Sequence, residues 1–336
     1  MSAIDKKLNK SNDELSVEKA EKAIGDSKKI RHNVRGVIFG QEEVVDNTLI
    51  TILSGGHALL VGLPGLAKTK LVETLGTVLG LDESRIQFTP DLMPSDILGS
   101  EILHQDENGA RSFHFVKGPV FAQLLMADEI NRASPRTQAA LLQSMQEYHV
   151  TIAGKRYDLP SPFHVLATQN PLEQEGTYPL PEAQLDRFLM QVDVHYPDLE
   201  AERQILFETT GVVEKSAKKA LDANRLSELQ QLVRRIPVGE SVVEAILELV
   251  RSARPGSGAD DVVDFISWGP GPRASQALML TVRAKALLDG RLAPSVDDVI
   301  ALAEPVLQHR MKLSFAARAE NVNVRDVIST LKGKIG

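Results

Sequence analysis

The 336-residue sequence contains no cysteine, a single tryptophan and no apolar run near the ~20 residues that a membrane span requires. Without cysteine, disulfides and thiolate metal sites are excluded, which fits a reducing cytoplasm. The eight histidines include no pair at i,i+3 or i,i+4, so a zinc site has little support. The opening residues Met1-Ser-Ala-Ile-Asp-Lys-Lys7 lack the apolar segment of a secretory signal, and a cytoplasmic location is expected. Aromatic residues make up only 4%, whereas 43% hydrophobic and 25% charged residues are ordinary for a globular chain. Lysine and arginine number 38 against 45 aspartate and glutamate, a formal charge of −7. That balance argues against a surface built for nucleic acid, although a local basic patch could survive it.

A chain of this length exceeds one ordinary core and suggests two domains. Residues 1–30 mix Lys6, Lys7, Lys10, Lys28 and Lys29 with Asp13, Glu14, Glu18 and Glu21, which reads as a partly ordered arm or an exposed helix. Over 31–197, the apolar runs Ala58–Val61, Ile86–Phe88, Leu124–Ala127, Phe163–Thr168 and Phe188–Val194 alternate with helical patterns. Such alternation predicts an α/β fold, a parallel sheet covered by helices on both faces. Two segments break the alternation, 99–116 around Asp106-Glu-Asn-Gly109 and 148–159 around Ala153-Gly154, and both read as hairpins. Over 198–336 the strands stop. Helical spacing at 198–210, 225–236, 241–254 and 273–289, and a capping-box-like start of a last helix at Ser295-Val-Asp-Asp298, predict a smaller all-helical domain.

The densest chemical signal is Gly62-Leu-Pro-Gly-Leu-Ala-Lys-Thr69, between the apolar run ending at Val61 and a helix-like stretch from Lys70. Strand, glycine-rich turn, Lys-Thr and helix is the context in which backbone N–H groups and a helix dipole hold an anion. Lys68 would supply positive charge to the β- and γ-phosphates, and the Thr69 hydroxyl would ligate Mg²⁺. Ala67 stands where a glycine usually precedes the lysine, and its methyl group leaves the phosphate path open provided that φ there is negative.

Downstream, Leu124–Glu129 reads as an apolar strand ending in two carboxylates, where α/β folds bind ligands. Asp128 would hold Mg²⁺ and Glu129 would polarise the attacking water. The plain alternative for this pair is an N-cap for the helix that starts near Ala133. After the next strand, the Asn170 amide could orient the same water, or merely cap a turn in Gln169-Asn170-Pro171. Arg187, with Asp186 as its local ion-pair candidate, and Arg273, after Gly269-Pro-Gly-Pro272, are either surface charges or guanidinium groups that stabilise the γ-phosphoryl oxygens.

Taken in order, Gly62–Thr69, Asp128-Glu-Ile-Asn-Arg-Ala133, Gln169-Asn170-Pro171, Pro181–Phe188 and Gly269–Arg273 resemble the MoxR family of AAA+ ATPases across nearly the whole chain. Ala67 is common in that family and strengthens the resemblance. The resemblance implies an AAA+ P-loop NTPase core with an all-helical lid, and Mg²⁺-dependent hydrolysis of ATP. It implies that Asn170 is sensor 1, Arg187 an arginine finger acting on a neighbour's ATP, and Arg273 the sensor-2 arginine reaching from lid to nucleotide. The implied nucleotide contacts are Gly62, Leu63, Pro64, Gly65, Leu66, Ala67, Lys68, Thr69 and Lys70, with Gly40 and Gln41 of Val37–Gln41 near the adenine. The hairpins match two inserts shared with magnesium-chelatase ATPase subunits. Also implied are ring homo-oligomers, often hexamers, a partner with a von Willebrand factor A domain, and chaperone-like work on a protein or metalloenzyme client. A magnesium-chelatase-like subunit, a nucleic-acid motor using Lys155-Arg156 at a hairpin tip, and a slow ATP-bound switch are the competing readings.

Overall fold

The computed structural model describes residues 17–105, 111–173, 176–210, 215–256 and 265–335. Lys6, Lys7, Lys10, Asp13 and Glu14 of the expected arm, and the Asp106–Gly109 turn, lie outside the described residues. In chain order, α1 (Val17–Arg35) and α2 (Glu42–Leu53) lead into β1 (Ala58–Gly62), α3 (Lys68–Leu79) and β2 (Glu83–Gln87). The short α4 (Pro94–Leu98) precedes a hairpin of β3 (Gly99–Gln105) and β4 (Arg111–Lys117). Next come β5 (Leu124–Asp128), α5 (Pro135–Glu147), a hairpin of β6 (His149–Ile152) and β7 (Lys155–Asp158), and β8 (His164–Gln169). A single turn, α6 (Glu182–Leu185), precedes β9 (Met190–Val194), and α7 (Leu199–Thr209) leaves the sheet.

The sheet has the order β2-β5-β8-β1-β9 with every pairing parallel, as the apolar runs predict. Alternation within the strands splits the core in two. Leu59, Leu125, Ala127, Val165 and Ala167 share one cluster with Leu141, Leu142 and Met145 of α5. Ala58, Leu60, Leu124, Met126 and Leu166 share the other with Leu49 and Leu53 of α2 and Leu71 and Leu75 of α3. Burial on both faces is why the central strands read as unbroken apolar runs. Edge strand β2 buries only Ile86, and its Arg85 and Gln87 become available for other work.

Both hairpins form. The β6–β7 turn places Ala153 and Gly154 at φ 49° and 80°, two successive left-handed residues that suit a tight hairpin turn. Phe115 of β4 stacks on Tyr157 of β7 at 4.1 Å between ring centroids, so the two inserts brace one another. Ile102, Leu103, Phe113 and Val116 of the first hairpin remain exposed.

Three expectations need correction. Within the expected arm, α1 is not an exposed helix: Ala20, Ala23, Ser27, Ile30 and Val34 are buried along one face. Its polar face is tied down by Arg31–Asp289 (2.9 Å) and Asp26–Arg225 (2.8 Å). Sequence-local charge mixing hid this, because the partners lie more than 190 residues away. Second, the lid is not wholly helical. It runs α8 (Ala223–Arg235), α9 (Glu240–Ser252), β10 (Ile266–Trp268), α10 (Pro272–Leu288), α11 (Val296–Leu307) and β11 (Lys312–Leu313), and β10 pairs antiparallel with β11. Strands of three and two residues are too short to carry a periodic signal. Third, the capping box at Ser295 and Asp298 forms, but α11 is not the last helix, since α12 (Phe315–Ala319) and α13 (Val324–Lys332) follow.

Candidate active site

The phosphate loop joins β1 to the N-terminus of α3 at the carboxyl end of the sheet. Gly62 is required by a close approach, since a Cβ there would lie 2.6 Å from the Val194 carbonyl of β9. Ala67 has φ 56° and ψ 19°, so the expected negative φ is wrong. Continuing from the turn into α3 demands a left-handed residue, which is the reason a glycine usually stands there. The alanine carries that conformation at a cost of ~1 kcal/mol.

A cavity of about 430 Å³ opens beside the loop, lined by Pro64–Lys70, Arg85, Asp128, Glu129, Thr168 and Asn170. The residues expected for phosphate and Mg²⁺ are therefore brought together, from β1–α3, β5 and β8. Lys68 Nζ donates to the carbonyls of Gly62 and Leu63 (3.0 Å to the latter). Burial holds its ammonium below its usual range, opposed by the carboxylates of Asp128 and Glu129. An adjoining cavity of about 290 Å³ shares Gly65–Ala67 and Lys70 and adds Val37–Phe39, Gln41, Pro197 and Ile205. Its apolar walls suit a flat base. Gln41 donates its amide to the Leu66 carbonyl (3.3 Å), bracing the loop. Gly40 does not line this cavity; at φ 66° it turns the chain, and a Cβ there would meet the Ala201 Cβ at 2.1 Å.

The two carboxylates have different settings. Asp128 accepts from the Thr168 hydroxyl (2.5 Å) and from Arg85 (2.6 Å). Glu129 sits at φ 55° and ψ 50°, its N–H bound to the Thr168 hydroxyl oxygen at 2.9 Å. Its carboxylate accepts from Gln87 (2.7 Å) and Arg132 (3.0 Å). The N-cap of α5 is Ser134, and Glu129, which precedes the short 3-10 turn Ile130–Arg132, makes no side-chain cap bond to it, so the plain alternative fails. At Asn170, the side-chain oxygen accepts from the Leu172 N–H (3.2 Å), so the turn-capping reading is met by one end of the amide. The nitrogen end takes no partner among the described residues, and Asn170 lines the cavity.

Sequence reasoning missed Arg85, Gln87, Arg132 and Thr168. Residue-by-residue pairing of β2 with β5, Gln87 opposite Asp128, is what places the first two, and that register is invisible before the sheet exists. Thr168, a hydroxyl ending a buried apolar strand, was the one available signal.

Arg187 and Arg273 lie elsewhere. Both line a groove of about 270 Å³ with Gly56, His57, Met145, Tyr148, Leu189 and Arg310, at the N-terminal end of β1. The five residues of β1 alone separate that end from the phosphate loop by ~16 Å. Arg273 therefore does not reach the phosphate loop of its own chain. Asp186 is not the partner of Arg187 either: it pairs with Arg310 (2.8 Å) and faces Arg273 (3.6 Å). Arg187 has no side-chain partner among the described residues. Beneath the groove, His57 and His164 are kept neutral, their pKa values lowered by burial to about 3 and about 4. The Val165 N–H donates to His57 Nδ1 (2.9 Å), leaving no room for a proton there.

The comparisons agree with this geometry. A model of the ATPase family associated with various cellular activities (AAA) matches residues 57–190, and an AAA lid domain model matches residues 259–331. Phosphate loop, parallel sheet and lid thus define an AAA ATPase. Chaperone MoxR1 of Mycobacterium tuberculosis is 44% identical over 88% of this chain and 78% of its own length. Protein MoxR of Paracoccus denitrificans is 32% identical over 84% of this chain and 87% of its own. A crystal structure from Cytophaga hutchinsonii, provisionally assigned as an ATPase, superposes with a TM-score of 0.88 at 38% identity, covering 98% of both chains. The chain belongs to the MoxR family of AAA ATPases. No helix among the described residues is long and apolar enough to cross a membrane.

Proposed function

We propose that the chain is a Mg²⁺-dependent ATP hydrolase whose sites are completed between copies in a ring. The observation that carries this reading is the division of labour along β1. Lys68, Thr69, Asp128, Glu129 and Asn170 converge at one end, and Arg187 and Arg273 share a groove at the other. The Thr69 hydroxyl and the Asp128 carboxylate are hard oxygen donors that fit Mg²⁺, and the half-exposed Arg85 is a displaceable counter-charge on Asp128. Mg²⁺ bound there would neutralise charge on the β- and γ-phosphates. Lys68 would exchange its loop carbonyls for phosphate oxygens. Glu129, released from Gln87 or Arg132, would accept the proton of the attacking water, and the Asn170 nitrogen would orient that water. Arg187 and Arg273 of the next copy would stabilise the γ-oxygens, a contribution of ~10³–10⁵ in rate for an arginine finger.

Work on a protein client follows from the kinship with Chaperone MoxR1 and from the exposed Leu103 and Phe113 on a braced hairpin. A hexameric ring, a von Willebrand factor A domain partner and a cytoplasmic location belong to the same proposal. A nucleic-acid motor finds no support at the β6–β7 tip, where Lys155 lies over Tyr157 and Arg156 pairs with Asp158 (2.8 Å). The test is subunit mixing. Glu129→Gln and Arg187→Ala chains, each inactive alone, should regain turnover together, because the first lends its arginine to the second. No recovery, or a specific activity independent of protein concentration, defeats the shared-site reading.

A further inference from the structure

One lid side chain grips the segment that carries Arg187. Arg310 follows α11 and is 2% exposed, which makes it one of the largest fully buried side chains. A guanidinium has five N–H groups, and all five are used. Nε donates to Asp186 Oδ1 (2.8 Å), and Nη1 to the carbonyls of Leu189 (3.1 Å) and Val306. Nη2 donates to the carbonyls of Phe188 (2.7 Å) and, at greater length, Asp186 (3.4 Å). Four of these five acceptors belong to the four residues Asp186–Leu189. Two neighbours add to the grip, His309 Nε2 on the Phe188 carbonyl (3.1 Å) and the Gln308 amide on the Gln191 carbonyl (3.2 Å).

Stability alone is a poor reason for this arrangement, since a buried ion pair often does no better than apolar residues of the same volume. Position is a better one. Among the described residues Arg187 has no side-chain partner, so the placement of its guanidinium is inherited from its backbone, and that backbone is what Arg310 holds. Through Asp186 Oδ2, 3.6 Å from Arg273, the same clamp also relates the two arginines of the groove. We infer that Arg310 is a positioning residue for Arg187, fastening it to the lid beside Arg273 so that any lid movement carries both guanidinium groups together. The inference rests on the reading of Arg187 as the arginine lent to a neighbouring copy. A lysine at 310 keeps the charge but concentrates its donors on one nitrogen, which cannot span carbonyls spread over four residues.

The mixing assay provides the test. Arg187→Ala chains, whose own catalytic groups are intact, are combined with Glu129→Gln donors that also carry Arg310→Lys or Arg310→Met. Rescue of turnover should fall ~100-fold relative to plain Glu129→Gln donors, the scale expected when a catalytic group is displaced by about 1 Å. Binding of a fluorescent ATP analogue to the donor, whose own phosphate loop is distant, should change less than ~2-fold. Rescue at the level of the plain donor overturns the inference. Should plain Glu129→Gln donors give no rescue, the shared-site reading fails instead, so the two failures are distinguishable. For a variant that does not assemble, hydrogen exchange reads the clamp in the isolated chain. The amides of Arg187 and Phe188, bonded to the Gln184 and Leu185 carbonyls, should exchange at least ~10-fold faster, and unchanged protection there also overturns it.

Discussion

Replacing Thr168 by valine removes one hydroxyl and nothing else of size, yet that hydroxyl serves both acidic residues of the site, the side chain of Asp128 and the backbone of Glu129. It donates to Asp128 at 2.5 Å and accepts from the Glu129 N–H at 2.9 Å, and Thr168 is 1% exposed, so water cannot take its place. A hydrogen bond to a charged group contributes ~1.5–3 kcal/mol, and a buried N–H left unpaired costs ~1–3 kcal/mol. Glu129 also spends ~1 kcal/mol on its left-handed backbone, and this N–H bond is one of the contacts that hold it there. The expected destabilisation is ~3 kcal/mol, read as a lowered urea midpoint at unchanged slope. Turnover should fall further than stability explains, by ~100-fold, because Glu129, the proposed general base, would lose its fixed position. Thr168→Ser keeps the hydroxyl and should recover turnover while losing ~1 kcal/mol of methyl burial. A valine variant within ~0.5 kcal/mol of the parent and with unchanged turnover would refute the assignment of Thr168 as the shared support.

Other outcomes follow from the same geometry. Ala67→Gly relieves ~1 kcal/mol of left-handed strain and gives back ~0.4–1 kcal/mol of unfolded-chain entropy, so thermal unfolding should be neutral to slightly raised. A loss above ~1 kcal/mol would contradict the positive φ. Buried His57 and His164, lowered to about 3 and about 4, make the fold acid-sensitive. Their unfolded forms take up protons near pH 6.5 and the folded forms do not. Stability is thus complete above about pH 7 and declines as pH falls from 6.5 toward those values, by ~3–4 kcal/mol at pH 5. A denaturation midpoint that is flat from pH 7.5 to 5 would exclude this. Phe115→Ala and Tyr157→Ala should show a coupling of ~0.5–1.5 kcal/mol in a double-mutant cycle, with faster amide exchange across β3–β4. Additive effects would mean that the ring stack does not brace the hairpins.

Burial on both faces leaves β1, β5 and β8 almost no polar positions to disguise them, whereas the edge strands β2 and β9 were marked only by the runs Ile86–Phe88 and Phe188–Val194. Helices α7 to α10 were equally legible from their spacing. The phosphate loop and Asp128-Glu129 were readable because each is a contiguous stretch with its chemistry in sequence order. What escaped notice depends on pairing between distant segments. Arg85 and Gln87 reach the acids only through the β2–β5 register, and α1 is buried because α2, α3 and α10 pack on its apolar face, with Asp289 and Arg225 meeting its polar face. The φ of Ala67 is set by the entry angle into α3, and Asp186 abandons its neighbour Arg187 for an arginine 124 residues away.

With its phosphate loop at one end of β1 and its two arginines at the other, each chain would, on the proposed reading, have a giving end and a receiving end. If the arginines serve the next copy, a row of n chains holds n − 1 complete sites, with one pocket unserved and one pair of arginines idle. Only closure brings the count to n, and every chain in the ring then depends equally on its neighbour. Hydrolysis would thereby report whether the assembly is whole, and a single lost subunit would silence one site and leave one arginine pair idle.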